Sequence, residues 1–138
     1  MYLPCCNDKH KQYNKILHNL QLDIDGDIYF NKSGKLIVCL IEFRLFEEIK
    51  YVMYALLKIY KPEEIGIAFM YGNNNKKYIE ETFKNWKNVI FIHKNFDNIN
   101  RGTYSSLMIQ PEFYDNFLNW SHVLVYQTDS LIMRKIDD

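Results

Sequence analysis

From Lys35 onward, apolar runs and stretches of helical period take turns along the chain. Residues 36–43 form a continuous apolar run with β-branched members, the pattern of a strand covered on both faces. Residues 47–60 then place Ile49, Val52, Met53, Leu56 and Tyr60 on one helical face. Glu47 and Glu48 suit the positive end of that helix, and Pro62 closes it. Residues 65–71 predict a second strand, stopped by Gly72. Residues 76–86 carry Ile79, Phe83 and Trp86 at helical spacing, and Asn73, Asn74 or Asn75 could cap that helix. A third strand at 89–92 ends at His93. After the polar loop 94–102, Pro111 separates two short helical pieces, 103–109 and 112–119, and residues 122–126 predict a fourth strand.

This alternation predicts an α/β fold: a Rossmann-like parallel sheet with helices on both faces and the first strand central. Residues 1–34 read as an N-terminal extension, and 35–138 as one domain. Within the extension, Asp23, Asp25 and Asp27 mimic the start of a calcium loop, but Ile28 sits where Gly is needed and Gly34 where Glu is needed. Asp25-Gly26 is better read as a hairpin turn, with residues 31–34 as a second turn.

Hydrophobic residues make up 48% of the 138 and aromatics 16%, enough for a packed core and too many for a disordered chain. Seventeen basic residues balance 17 acidic ones, so no basic field exists to hold nucleic acid by phosphate neutralisation. The longest apolar run, 36–41, falls far short of the ~20 residues that span a bilayer. The start, Met1-Tyr2-Leu3-Pro4, lacks the basic and apolar regions of a signal peptide. Together these features imply a cytoplasmic protein of the producing or host cell, with reduced thiols. Cys5, Cys6 and His10 fit no standard zinc spacing. Only three of the 17 basic residues are Arg, while Asn, Lys, Ile and Tyr abound, the mark of AT-rich coding DNA. On that reading the run 73–77 needs no functional explanation, and Arg44, Arg101 and Arg134 gain interest.

In such a sheet four strand ends converge on one crevice: Glu42-Phe43-Arg44, Tyr71-Gly72-Asn73, His93 and Gln127-Thr128-Asp129-Ser130. The chain has no Gly-x-Gly-x-x-Gly, no P-loop and no Gly-x-Ser-x-Gly elbow. Dinucleotide cofactors, P-loop chemistry and serine hydrolysis are disfavoured accordingly. Glu42 and Arg44, two apart, share one strand face. They form either an ion pair at the sheet's edge or a grip on a nucleotide, since a guanidinium stacks on bases and binds phosphate. Asp129 is either a helix cap or a carboxylate that holds a divalent cation against a phosphate. His93 reads as an ordinary strand-end histidine, and Trp86 and Trp120 as core.

Three stretches, in this order and spacing, resemble a poorly characterised family of glycosyltransferase-like domains grouped with the GT-A glycosyltransferases. They are Leu36-Ile-Val-Cys-Leu-Ile-Glu-Phe-Arg44, Pro111-Glu-Phe-Tyr114 and Val123-Leu-Val-Tyr-Gln-Thr-Asp-Ser-Leu-Ile132. Members of that family recur in large DNA viruses and microbial eukaryotes. The resemblance covers roughly residues 36–138 and is most specific at Gln-Thr-Asp-Ser. It implies the nucleotide-binding half of a GT-A-like fold. Such a domain binds a nucleotide-diphosphate sugar, with Mn²⁺ or Mg²⁺, for transfer to an acceptor that is unknown here. In GT-A enzymes an Asp-x-Asp element ends the fourth strand and binds the metal. Asp129 matches its last Asp, and Gln127 stands where the first would be. By resemblance, Glu42, Arg44, Tyr71, Gln127 and Asp129 form the nucleotide-binding set, with Asp129 as the metal ligand. The family domain continues past this point, so the resemblance implies a truncated domain, and no base or nucleophile stands out. The rival expectation is a non-catalytic Rossmann-like binding or assembly module, whose sheet edges a partner or a second copy would cover.

Overall fold

The computed structural model describes residues 26–45, 47–97, 100–128 and 135. Cys5, Cys6 and His10 lie outside these, as do Asp23 and Asp25 of the calcium-loop candidate. In chain order the elements are β1 (Ile28–Tyr29), β2 (Gly34–Ile41), α1 (Ile49–Ile59), β3 (Gly66–Tyr71), α2 (Lys76–Thr82), β4 (Trp86–Lys87), β5 (Ile90–His93), α3 (Arg101–Ile109), α4 (Pro111–Asp115) and β6 (Trp120–Tyr126). A 3₁₀ turn at Pro62–Glu64 leads into β3.

The main sheet has the order β5-β3-β2-β6, with every neighbouring pair parallel. The first long strand, β2, is therefore interior, as the unbroken apolar run predicts. Side chains alternate across the sheet and feed two cores. Val38, Leu40, Ile67, Phe69, Tyr71 and Tyr126 face α1 and α2, where Ile49, Val52, Met53, Leu56 and Ile79 are buried. Ile37, Cys39, Ile41, Ala68 and Met70 face the other way, onto Phe113, Phe117, Leu107 and Met108. Burying each of the larger side chains contributes about 1.5–3 kcal/mol. The helices change face because the chain changes direction: it steps outward from β2 to β3 and β5, then returns to the far flank of β2 as β6. A right-handed crossover places its helix on opposite faces for opposite steps. The chain is thus a Rossmann-like α/β fold with a parallel sheet flanked by helices. No helix among the described residues is long and apolar enough to cross a membrane.

Several boundaries differ from the sequence pattern. The helix expected over 76–86 ends at Thr82, and Trp86 instead enters β4, which pairs parallel with β1 through Ile28↔Trp86 and Tyr29↔Lys87. Phe30 packs against Trp86 with ring centroids 5.1 Å apart, so Phe30 belongs to the core, with Ile28 packed against it. Asn88 holds a positive φ of 66°, and its side-chain amide donates to the Phe30 carbonyl at 3.0 Å. The helix expected over 112–119 is α4, a shorter piece with Pro111 in its first turn, where the missing N–H costs nothing. β2 ends at Ile41, two residues before the apolar pattern stops, because the Glu42 side chain captures the backbone beyond it.

Candidate functional site

The strand order reverses between β2 and β6. In an open parallel sheet a ligand crevice forms at such a switch point, outside the carboxyl ends of the two strands. Register sets Leu40 level with Tyr126, so Glu42 and Thr128, each two residues further on, come level and face the same way. Their side chains meet: the Thr128 hydroxyl donates to Glu42 Oε1 at 3.0 Å. Arg44 closes on the same carboxylate as a bidentate fork, Nη2 to Oε1 at 2.8 Å and Nε to Oε2 at 3.1 Å. The backbone N–H groups of Phe43 and Arg44 donate to Oε2 at 3.0 and 3.2 Å. Donors thus saturate both oxygens.

Burial pushes the Glu42 carboxyl up. The hydrogen bonds and charge of Arg44, with Thr128 added, outweigh that effect and hold the group below the usual carboxylate range. Glu42 is therefore an anion at neutral pH although only 9% exposed, whereas the Arg44 side chain is 58% exposed. The ion pair expected from the spacing is present. It sits at the carboxyl end of the central strand, where the carboxylate serves as a buried base plate for a guanidinium that reaches solvent.

The β3 end is organised by Asn75, which is 1% exposed. It occupies the cap position of α2, yet its side chain makes no cap bond to that helix. Instead Oδ1 accepts from the Gly72 N–H at 3.0 Å, and Nδ2 donates to the Glu42 carbonyl at 2.8 Å. Gly72 admits no side chain: a Cβ there would lie 2.4 Å from the Phe96 carbonyl oxygen and 2.8 Å from the Phe43 ring. Beside it, Asn73 Nδ2 donates to Asn95 Oδ1 at 2.9 Å and to Asp97 Oδ1 at 3.3 Å. Asn73 Oδ1 lies 2.9 Å from His93 Nε2, within hydrogen-bond reach.

Tyr71 departs from the expected nucleotide contact. It is 3% exposed, its ring lies 5.6 Å from that of His93, and its hydroxyl donates to Glu80 Oε2 at 2.8 Å. Burial first, then the Glu80 hydrogen bond and charge, raise its pKa. Tyr71 is level with Glu42 on the same face of the sheet, and it walls the site without opening onto it. Gln127 is exposed and turns to the other face, its amide 3.4 Å from the Tyr104 hydroxyl. Asp129, the expected metal ligand, lies outside the described residues.

Tested against a divalent cation, the described donors do not fit. Glu42 has no oxygen to spare, and no group of three or more His, Cys, Asp or Glu side chains that could hold a metal occurs among the described residues. Sequence reasoning named Glu42 and Arg44, which the structure brings together, but gave Thr128 only as part of the strand end 127–130 and Asn75 only as one of three possible helix caps. Thr128 stands between two residues that were singled out. Asn75 does stand at the expected cap position, but its side chain turns to Gly72 and Glu42 instead of the helix.

Residues 85–138 match a family model described as "Protein of unknown function (DUF5672)". No curated protein and no solved structure matches the chain. The matched segment runs from just before β4 through β6. It therefore includes the Thr128 side of the switch point and leaves out Glu42 and Arg44.

Proposed function

We propose that the carboxyl edge of this sheet binds a nucleotide-diphosphate sugar, as the donor-binding half of a GT-A-like glycosyltransferase. The observation that carries the reading is the Thr128–Glu42–Arg44 chain of hydrogen bonds across the switch point. Glu42 fixes the Arg44 guanidinium in one orientation before any ligand arrives, which lowers the ordering cost of binding an anion. A guanidinium so held is suited to a diphosphate oxygen pair or to the face of a base. Gln127 adds an exposed amide on the other side of the β6 end. The Mn²⁺ or Mg²⁺ implied by the resemblance would fall to Asp129, and the acceptor is undefined.

A thermal-shift panel of nucleoside diphosphates and sugar nucleotides, run with and without Mn²⁺ or Mg²⁺, tests the reading. At ~100 times its dissociation constant, a bound nucleotide stabilises the fold by about 2.7 kcal/mol. Asp129→Asn should abolish the metal-dependent part of that shift. No shift with any member of the panel would remove the donor-site reading.

A second reading, a non-catalytic assembly module, has one observation in its favour. The crossover between β5 and β6 leaves Ile109 80% and Leu118 79% exposed, with Tyr114 partly so. Sedimentation that shows a concentration-dependent homo-oligomer, lost on Ile109→Glu, would support it.

A further inference from the structure

We propose that Asn75 is a positioning residue that holds the carboxyl ends of β2 and β3 apart by replacing one rung of their ladder with its own carboxamide. The parallel pairing runs through Ile41↔Met70, and the Glu42 N–H donates to the Met70 carbonyl at 3.1 Å. In a parallel ladder the next rung joins the Gly72 N–H to the Glu42 carbonyl. Neither group makes that bond. Both turn to Asn75, the N–H donating to Oδ1 and the carbonyl accepting from Nδ2. A carboxamide inserted between donor and acceptor satisfies both and lengthens the span between the strands by its own width. A carboxamide carries an acceptor and a donor on one carbon, and Asn is the shorter of the two side chains that have one.

The other flank of β3 shows that the parting is local. There the Lys94 N–H donates to the Tyr71 carbonyl at 2.8 Å, and the Asn73 N–H to the Phe96 carbonyl at 2.8 Å, so β3 stays zipped to β5 as it leaves β2. Gly72 is pressed against the Phe96 backbone on that side, which prevents it from following β2. The consequence falls on Glu42, whose carbonyl is held by Asn75 while its carboxylate holds Arg44. The carboxamide thereby sets the backbone from which the guanidinium is presented. Its effect on ligand binding rests on the nucleotide reading above; its effect on the ladder does not.

The two are separated by one pair of measurements on the full chain. In uniformly ¹³C,¹⁵N-labelled native protein, the Gly72 amide nitrogen should show a through-hydrogen-bond coupling to the Asn75 side-chain carbonyl carbon. In Asn75→Ala that amide should couple to the Glu42 backbone carbonyl as the rung closes. A Gly72–Glu42 coupling already present in the native protein would overturn the proposal, whatever happens in the variant. The second measurement is uridine diphosphate and guanosine diphosphate affinity. Asn75→Ala should weaken binding by up to about tenfold, the factor that one hydrogen bond can represent. In Asn75→Asp the introduced carboxylate faces the Glu42 carbonyl, so affinity should fall at neutral pH and recover in acid, where the protonated carboxyl donates again. Native-like affinity in both variants at neutral pH would overturn the positioning role. If the native protein binds neither nucleotide, the donor-site reading fails and the couplings alone decide the ladder claim.

Discussion

Thr128 and Glu42, 86 positions apart in sequence, share a hydrogen bond of 3.0 Å across the point between β2 and β6 where the strand order reverses. That bond ties the end of β6 to the end of β2 and leaves the Arg44 fork with a fixed anion to grip. The stability of this corner and its readiness for an anionic ligand therefore depend on the same carboxylate.

Glu42→Gln should destabilise the fold by roughly 1–3 kcal/mol, the cost of breaking charge-assisted bonds to a buried group. The pH dependence has a definite sign. A carboxyl whose folded pKa is depressed adds stability that is present above its unfolded value, near 4.5, and is lost as pH falls through the lower folded value. Urea unfolding at neutral pH and between about pH 5 and 3 should show native stability falling in that window. The fall should be smaller in Glu42→Gln. Equal slopes in the two proteins would mean that Glu42 is not held ionised by Arg44.

Gly66 lies under the Trp120 ring, and a Cβ there would come within 2.3 Å of two ring carbons. Gly66→Ala should therefore lower stability by about 1–3 kcal/mol, as overpacking does. It should also displace Trp120 and shift its fluorescence to the red. Unchanged emission and midpoint would show that the ring does not rest on this glycine.

Cys39 is fully buried in β2, and burial pushes its thiol up to about 12. In a protein carrying Cys5→Ser and Cys6→Ser, a disulfide reagent should label Cys39 only as fast as the domain opens, with no acceleration between pH 7 and 9 beyond that of the reagent. Labelling within seconds in the native state would contradict the assigned burial.

The four main strands were legible because a strand covered on both faces leaves a continuous apolar run, and the parallel order follows from the helices between the runs. The β1–β4 rung was not, since two residues carry no periodicity and Ile28 meets Trp86 from far along the chain. Trp86 also fits a helical stripe, which is why the helix expected over 76–86 overruns its end at Thr82. At the site, Glu42 and Arg44 announce themselves by their spacing of two on one strand. Tyr71 has the same strand-end position but is buried, and its hydroxyl finds Glu80 on α2, a partner set by packing. Thr128 was legible only as a member of the strand end 127–130, because its alignment with Glu42 depends on the register of β6 against β2. Asn75 was hidden among identical neighbours that its burial alone distinguishes.

The most direct test of the central claim is calorimetric titration of uridine diphosphate and guanosine diphosphate into the native protein and into Arg44→Ala, each with and without Mn²⁺. The account predicts that the native protein binds at least one of them. Arg44→Ala should weaken that binding by about tenfold or more with or without the metal, because the charged group that Glu42 presents to the nucleotide is lost. Binding that Arg44→Ala leaves unchanged, or no binding to the native protein at all, would contradict the account.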